Sequence, residues 1–356
     1  MNKIDRFLTA LLDKDGSDLH LIAGDPPRIR QYGDLVKIED DTLEAAFVEA
    51  MMSEIMTPKA RSDFNANHQA DFAYSFGDRG RFRVNAFRHL SGHGAILRAI
   101  PAGALTLEQL NAPRALYDMC REKQGLVLVT GKTGSGKSTT LAAMVDYINA
   151  NTKGHILTIE DPIEFTHERK GCLISQRQVG EHTPSFAASL KSALREDPDV
   201  ILVGEMRDLE TVSIAVTAAE TGILVMGTLH TNSAASTVDR IINTFPADKQ
   251  PHIRTMLSTS LRGVVAQQLV KKADGSGRVA AMEIMVNNNA IGNLIRQGKI
   301  DQVENAMQSS AQAGMQTMDT ALRSLVRKRE ITGEQAYLKA IQKDNFKEFA
   351  PVGEEA

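Results

Sequence analysis

The stretch Gly131-Lys132-Thr133-Gly134-Ser135-Gly136-Lys137-Ser138 decides how the rest of the chain is read. Its spacing is that of a phosphate-binding loop. Glycines let the backbone curl so that successive N–H groups face one anion, the following helix adds the positive end of its dipole, and the lysine reaches the outer phosphates. Residues 126–130 form a continuous apolar run, as a strand buried on both faces of a parallel sheet does, and helical spacing follows over 138–149. Gly131, Thr133, Gly134, Ser135, Gly136, Lys137, Ser138 and Thr139 are therefore the expected nucleotide-binding residues. ATP is the expected ligand, with the Ser138 hydroxyl offered to Mg2+.

Outward from this loop the pattern strand, turn, helix repeats. Apolar runs recur at 156–159, 200–203 and 224–229, with helical patterns over 185–195 and 209–221 and Gly222 at a helix end. Such an order predicts a mostly parallel α/β sheet with right-handed crossovers. Ligands sit at the C-terminal ends of the strands in these sheets, and phosphoryl transfer needs a carboxylate there to orient water or hold the metal shell. Two strand ends supply one. Residues 200–203 run into Gly204-Glu205, and residues 156–159 into Glu160-Asp161-Pro162-Ile163-Glu164. Glu205 is the expected catalytic carboxylate, although a strand-end carboxylate can instead cap a helix or pair with Arg207. Glu164 stands in a cluster of three acids too close together for all to touch one metal. His230 ends the fourth run, where an imidazole either senses the γ-phosphate and polarises water or is a structural hydrogen-bonded histidine.

The first hundred residues have a different texture. Ile4, Phe7, Leu8, Leu11 and Leu12 recur at helical spacing up to Asp15-Gly16, Asp18–Ile22 alternates, Pro26-Pro27 breaks it, and Tyr32-Gly33-Asp34 supplies a turn. Residues 70–76, 81–87 and 95–100 read as short strands separated by Gly77-Asp78-Arg79-Gly80 and Ser91-Gly92-His93-Gly94, which predicts a mostly antiparallel sheet with flanking helices. Arg81 and Arg83 alternate with Phe82 and Val84, so one strand face is cationic. That face is either simply solvated or reaches, in trans, a phosphate bound by a neighbouring subunit. The expected boundaries are an α+β unit over 1–100, a linker over 101–120, the nucleotide-binding domain over 121–288, a helical region over 289–345 and a flexible tail over 346–356.

Composition excludes several classes of function. Forty-one Lys and Arg against 44 Asp and Glu leave a net charge of -3 across 356 residues, with no Trp. Nucleic-acid binding therefore lacks both its electrostatic drive and its stacking platforms. Cys120 and Cys172 form no CxxC pair, so neither a disulfide framework nor a cysteine zinc site is indicated. Asp5 and Asp13 interrupt any signal-peptide core, and no stretch is apolar enough to span a membrane.

Taken together, the phosphate loop with Ser138-Thr139-Thr140-Leu141, the acidic box at 160–164, Gly204-Glu205-Met206-Arg207-Asp208, His230-Thr231, Ser17-Asp18-Leu19-His20-Leu21 and Gly314-Met315-Gln316-Thr317-Met318-Asp319 resemble the type IV pilus twitching-motility ATPases of the secretion-ATPase superfamily over essentially the whole chain. The resemblance implies a PAS-like N-terminal domain, a RecA-like P-loop core and a helical tail, assembled as a homohexamer with ATP at subunit boundaries. It further implies that Glu205 activates water, that Glu164 lies beside it, and that the motor drives pilus retraction at the pilus base. There it would act on an inner-membrane platform protein from the cytoplasmic side, with a paralogous motor ATPase as an open addition. A related secretion or pilus-assembly motor is the alternative, and a nucleic-acid translocase a more distant one. Four positions depart from the family pattern: Lys132 replaces a proline, Ile223 a histidine, and Gly292 and Gln297 an arginine and a glutamate in the motif at 290–297.

Overall fold

The computed structural model describes residues 2–31, 34–77, 79–100 and 103–351. The chain divides into two compact units, Met1–Gly103 and Ala104–Ala356.

In the first unit α1 (Asp5–Asp13) forms because Ile4, Phe7, Leu8 and Leu11 share one helical face, and all four are buried. Asp15, in the left-handed region, precedes Gly16 and ends it. Next come β1 (Asp18–Ile22), β2 (Arg28–Gln31), β3 (Asp34–Lys37), α2 (Ala45–Ile55), α3 (Pro58–Asn67), β4 (Gln69–Phe76), β5 (Gly80–His89) and β6 (Gly92–Ile100). The six strands pair antiparallel throughout, in the order β3-β2-β1-β6-β5-β4. On β5, Phe82, Val84 and Ala86 are fully buried, which turns Arg81 and Arg83 to the opposite face. Tyr32 and Gly33 of one expected turn, Asp78 of another, and Pro101 and Ala102 of the expected linker lie outside the described residues.

The second unit contains α4 (Arg114–Cys120), β7 (Gly125–Thr130), α5 (Lys137–Asn151), β8 (His155–Glu160), β9 (Leu173–Gln178), α6 (Phe186–Ala193), β10 (Val200–Val203), α7 (Leu209–Glu220), β11 (Leu224–Leu229), α8 (Ala234–Thr244), α9 (Gln250–Ser260), β12 (Leu261–Lys271) and β13 (Arg278–Val286), followed by α10 (Asn289–Gln297), α11 (Val303–Ser309), α12 (Met318–Arg327) and α13 (Gly333–Lys339). Its seven-stranded sheet has the order β13-β12-β7-β11-β10-β8-β9, parallel except for the β12–β13 pair. Every residue of β7 is buried. Leu126 and Leu128 pack with Val212, Val216 and Val238 on one side of the sheet, Val127 and Val129 with Leu141, Met144 and Val145 on the other. Each such side chain contributes about 1.5–3 kcal/mol.

Two expectations at the edges of this unit need correcting. Leu107 and Leu116, inside the expected linker, are fully buried in the core of the second unit, because α4 packs against α5. The expected tail begins at Phe346, yet that ring is fully buried among Val270, Met318, Leu322 and Tyr337, and a 3-10 helix continues to Phe349. Residues 352–356 lie outside the described residues.

Candidate active site

Parallel register aligns the strand ends that matter. Leu229 pairs with Thr130, and Val203 pairs with both Gly227 and Ile159. The loop after β7, His230 after β11, Glu205 after β10 and the acidic box after β8 therefore leave the sheet at one edge.

The loop itself is shaped by what lies beneath it. Gly131 and Gly136 have φ of +143° and +88°, and a Cβ on them would come within 2.4 Å and 2.7 Å of the Gln267 carbonyl and side-chain amide. Only glycine allows that approach. Gln267, buried on β12, donates from Nε2 to the Ser135 carbonyl (2.8 Å) and accepts at Oε1 from the Thr140 hydroxyl (2.8 Å), so it bolts the loop to the start of α5. Ser135 Oγ is buried and, among the described residues, has no hydrogen-bond partner. Lys132, Thr133 and Gly134 form the exposed tip, and Lys137, Ser138 and Thr139 are half-buried on the first turn of α5. Lys137 Nζ donates back to the carbonyls of Gly131 (2.9 Å) and Lys132 (3.2 Å). Burial presses its ammonium below the ordinary lysine range, an effect that the nearby carboxylates of Glu205 and Glu164 oppose. A curled loop with an ammonium and a free helix start is an anion cradle.

Glu205 and His230 meet: His230 Nε2 lies 2.8 Å from Glu205 Oε1. Arg207 Nε donates to the same oxygen, so the pairing with Arg207 anticipated from the sequence coexists with proximity to the loop. The acids of the box divide their tasks. Glu160 is buried, accepts from the Thr158 hydroxyl (2.6 Å), the Gln176 amide (3.3 Å) and the Glu164 backbone N–H, and burial raises its pKa, so it holds the box in shape. Glu164 is exposed and within electrostatic reach of Lys137. The glycine cradle, the unpartnered Ser135 hydroxyl, the Ser138 hydroxyl and the Glu164 carboxylate suit a nucleotide with its Mg2+. Arg81 and Arg83 lie in the first unit; Arg83 sits directly across from Arg98 of β6 and 3.9 Å from Asp71. Sequence reasoning missed Gln267, since a glutamine within 261–271 carries no motif.

Loop, lysine and strand-end carboxylate stand in the relation shared by P-loop proteins that handle phosphoryl groups. The chain belongs to the Type II/IV secretion system protein family, whose model matches residues 1–343. It is 53% identical over 340 residues to the type IV pilus retractation ATPase PilT of Pseudomonas aeruginosa, covering 95% of this chain and 98% of that one. Against the type IV pilus ATPase PilU of the same organism it is 41% identical over 354 residues, covering 99% and 93%. The solved structure of the pilus retraction motor PilT with bound ADP matches with a TM-score of 0.91 at 43% identity, covering 98% of this chain and 100% of that one.

Proposed function

We propose that the chain is an ATPase motor that drives type IV pilus retraction. The observation that carries this is the convergence of Lys137, Glu205, Glu164 and His230 at the strand edge beside a glycine-built cradle, in a chain so similar to a retraction ATPase over nearly its full length. Gly131 and Thr133–Thr139 wrap the phosphates, and Lys137 exchanges its two carbonyl partners for phosphate oxygens when ATP enters. Ser138 and Glu164 are the groups that would hold Mg2+, which supplies positive charge against the phosphate oxygens. Glu205 accepts the proton of the attacking water, and His230, sharing its Oε1, fixes that carboxylate. Arg81 and Arg83 enter as groups supplied in trans, within a homohexamer at the cytoplasmic face of an inner-membrane platform protein. Among the described residues no helix is long and apolar enough to cross a membrane.

Purified protein with ATP and Mg2+ is expected to turn over, and Glu205→Gln to keep nucleotide binding while losing about 100- to 10,000-fold in turnover. A deletion strain that is heavily piliated yet immobile supports retraction. A bald strain favours the pilus-assembly alternative. At Gly292, where the resembled family carries an arginine, a Cβ would lie 3.0 Å from the Ser258 carbonyl, so a larger side chain there needs that carbonyl to give by a few tenths of an ångström.

A further inference from the structure

Glu283 lies on β13 directly across from Ala266 and is only 3% exposed. Its Oε1 accepts from the backbone N–H of Ala234 (2.6 Å) and its Oε2 from that of Met318 (3.3 Å). These are the first residues of α8 and α12, so one buried carboxylate receives the positive ends of two helices. Burial raises its pKa, the two N–H bonds lower it, and Glu304 and Asp319 add negative field.

The two helices come from opposite parts of the unit. Ser233 caps α8 only three residues after His230, which touches Glu205, and Thr237 in the first turn bonds back to Thr231 (2.7 Å) and to the Ser233 carbonyl (2.6 Å). On the other side lies the stretch 314–319, to which the site gives no task. Gln316 exchanges backbone bonds with Ile284 (2.8 and 3.0 Å) and donates from its side chain to the Met282 carbonyl (2.8 Å). Thr317 caps α12, and Asp319 accepts from the N–H groups of Ile341 (2.8 Å) and Gln342 (3.0 Å). An ordered run of hydrogen bonds thus joins the segment after His230 to the C-terminal helices, with Glu283 at its centre.

We propose that Glu283 is a positioning residue for ATP turnover, tying the start of α8, and with it the His230 segment, to the start of α12. The proposal rests on the ATPase reading of the site. A buried carboxylate that loses one of two N–H partners is left undersolvated. The start of α8 therefore cannot withdraw when the nucleotide changes without altering the hold on α12. This makes the two helix starts a coupled pair.

The test uses the full-length chain, measuring turnover and amide hydrogen exchange over 231–236 and 316–322 with and without ADP. In the wild type, ADP is expected to change exchange in both segments. Glu283→Gln keeps the side-chain size but turns an amide donor toward one of the N–H groups. It should retain the change at 231–236, lose that at 316–322, and lower kcat about tenfold with KM within about twofold. Wild-type exchange at 316–322 that ignores ADP overturns the proposal whether or not the variant folds, and so does an unchanged kcat in a folded variant. A wild-type chain without turnover defeats the ATPase reading instead.

Discussion

The two sheets of this chain bury their residues differently, and that difference locates their chemistry. In the second unit β7 and β11 are buried at every position. No side chain on their faces can meet a ligand, so the polar groups Lys137, Glu205 and His230 stand at the strand ends. In the first unit β5 instead alternates, burying Phe82 and Val84 while presenting Arg81 and Arg83 in mid-strand. An antiparallel sheet can thus carry charge on a face, whereas a covered parallel sheet carries it only at an edge.

The sharpest way to break this contrast is to remove the edge ammonium. Lys137→Ala is expected to cost about 1,000-fold in turnover and to weaken ATP binding about 100-fold, read by nucleotide titration. Retained turnover would mean that the edge is not where the phosphates sit. Arg81→Ala on the sheet face should lower turnover about 100-fold while leaving ATP affinity within about twofold. Unchanged turnover would leave that face as a solvated one.

The strand-end residues were legible because their signals are local. An apolar run, a glycine loop and a helical pattern adjoin one another at 126–149, and Glu205 follows its strand by two residues. The supports beneath the loop were not. β12 begins with a register shift at Leu261/Gly263 and contains buried Gln267, so it lacks a clean apolar run. β13 is rich in Ala and Met with Glu283, residues that favour helices. β2 and β3 have four residues each, and every position of β3 is exposed. Phe346 looked like tail because its partners, Val270 and Met318, are distant in sequence. Gln267→Ala probes this illegible layer: losing both bonds should weaken ATP binding about tenfold and destabilise the second unit by about 1–3 kcal/mol, read by denaturant titration.

The smallest effect is also the most discriminating between the units, because each buries a carboxylate of opposite character. At Asp18 burial pulls upward, but the Ser17 hydroxyl (2.7 Å) and Arg98 (2.7 Å) outweigh it and hold the pKa below the ordinary 3.8. At Glu160 burial wins over the bonds from Thr158 and Gln176 and raises the pKa above the ordinary 4.5. Linkage fixes the signs. The contribution of Asp18 is complete above 3.8 and is lost as pH falls through its depressed folded value. That of Glu160 is complete below 4.5 and is lost as pH rises through its raised folded value. Wild-type stability relative to Asp18→Asn should therefore shrink on acidification, and relative to Glu160→Gln on going alkaline. Segment-resolved hydrogen exchange between pH 3 and pH 8 measures both, the first over 17–31 and the second over 155–178. Parallel slopes for the two variants would show that both carboxylates sit in the same kind of surroundings, and the division between an arginine-bearing sheet face and a covered parallel sheet would then fail at the level of charge.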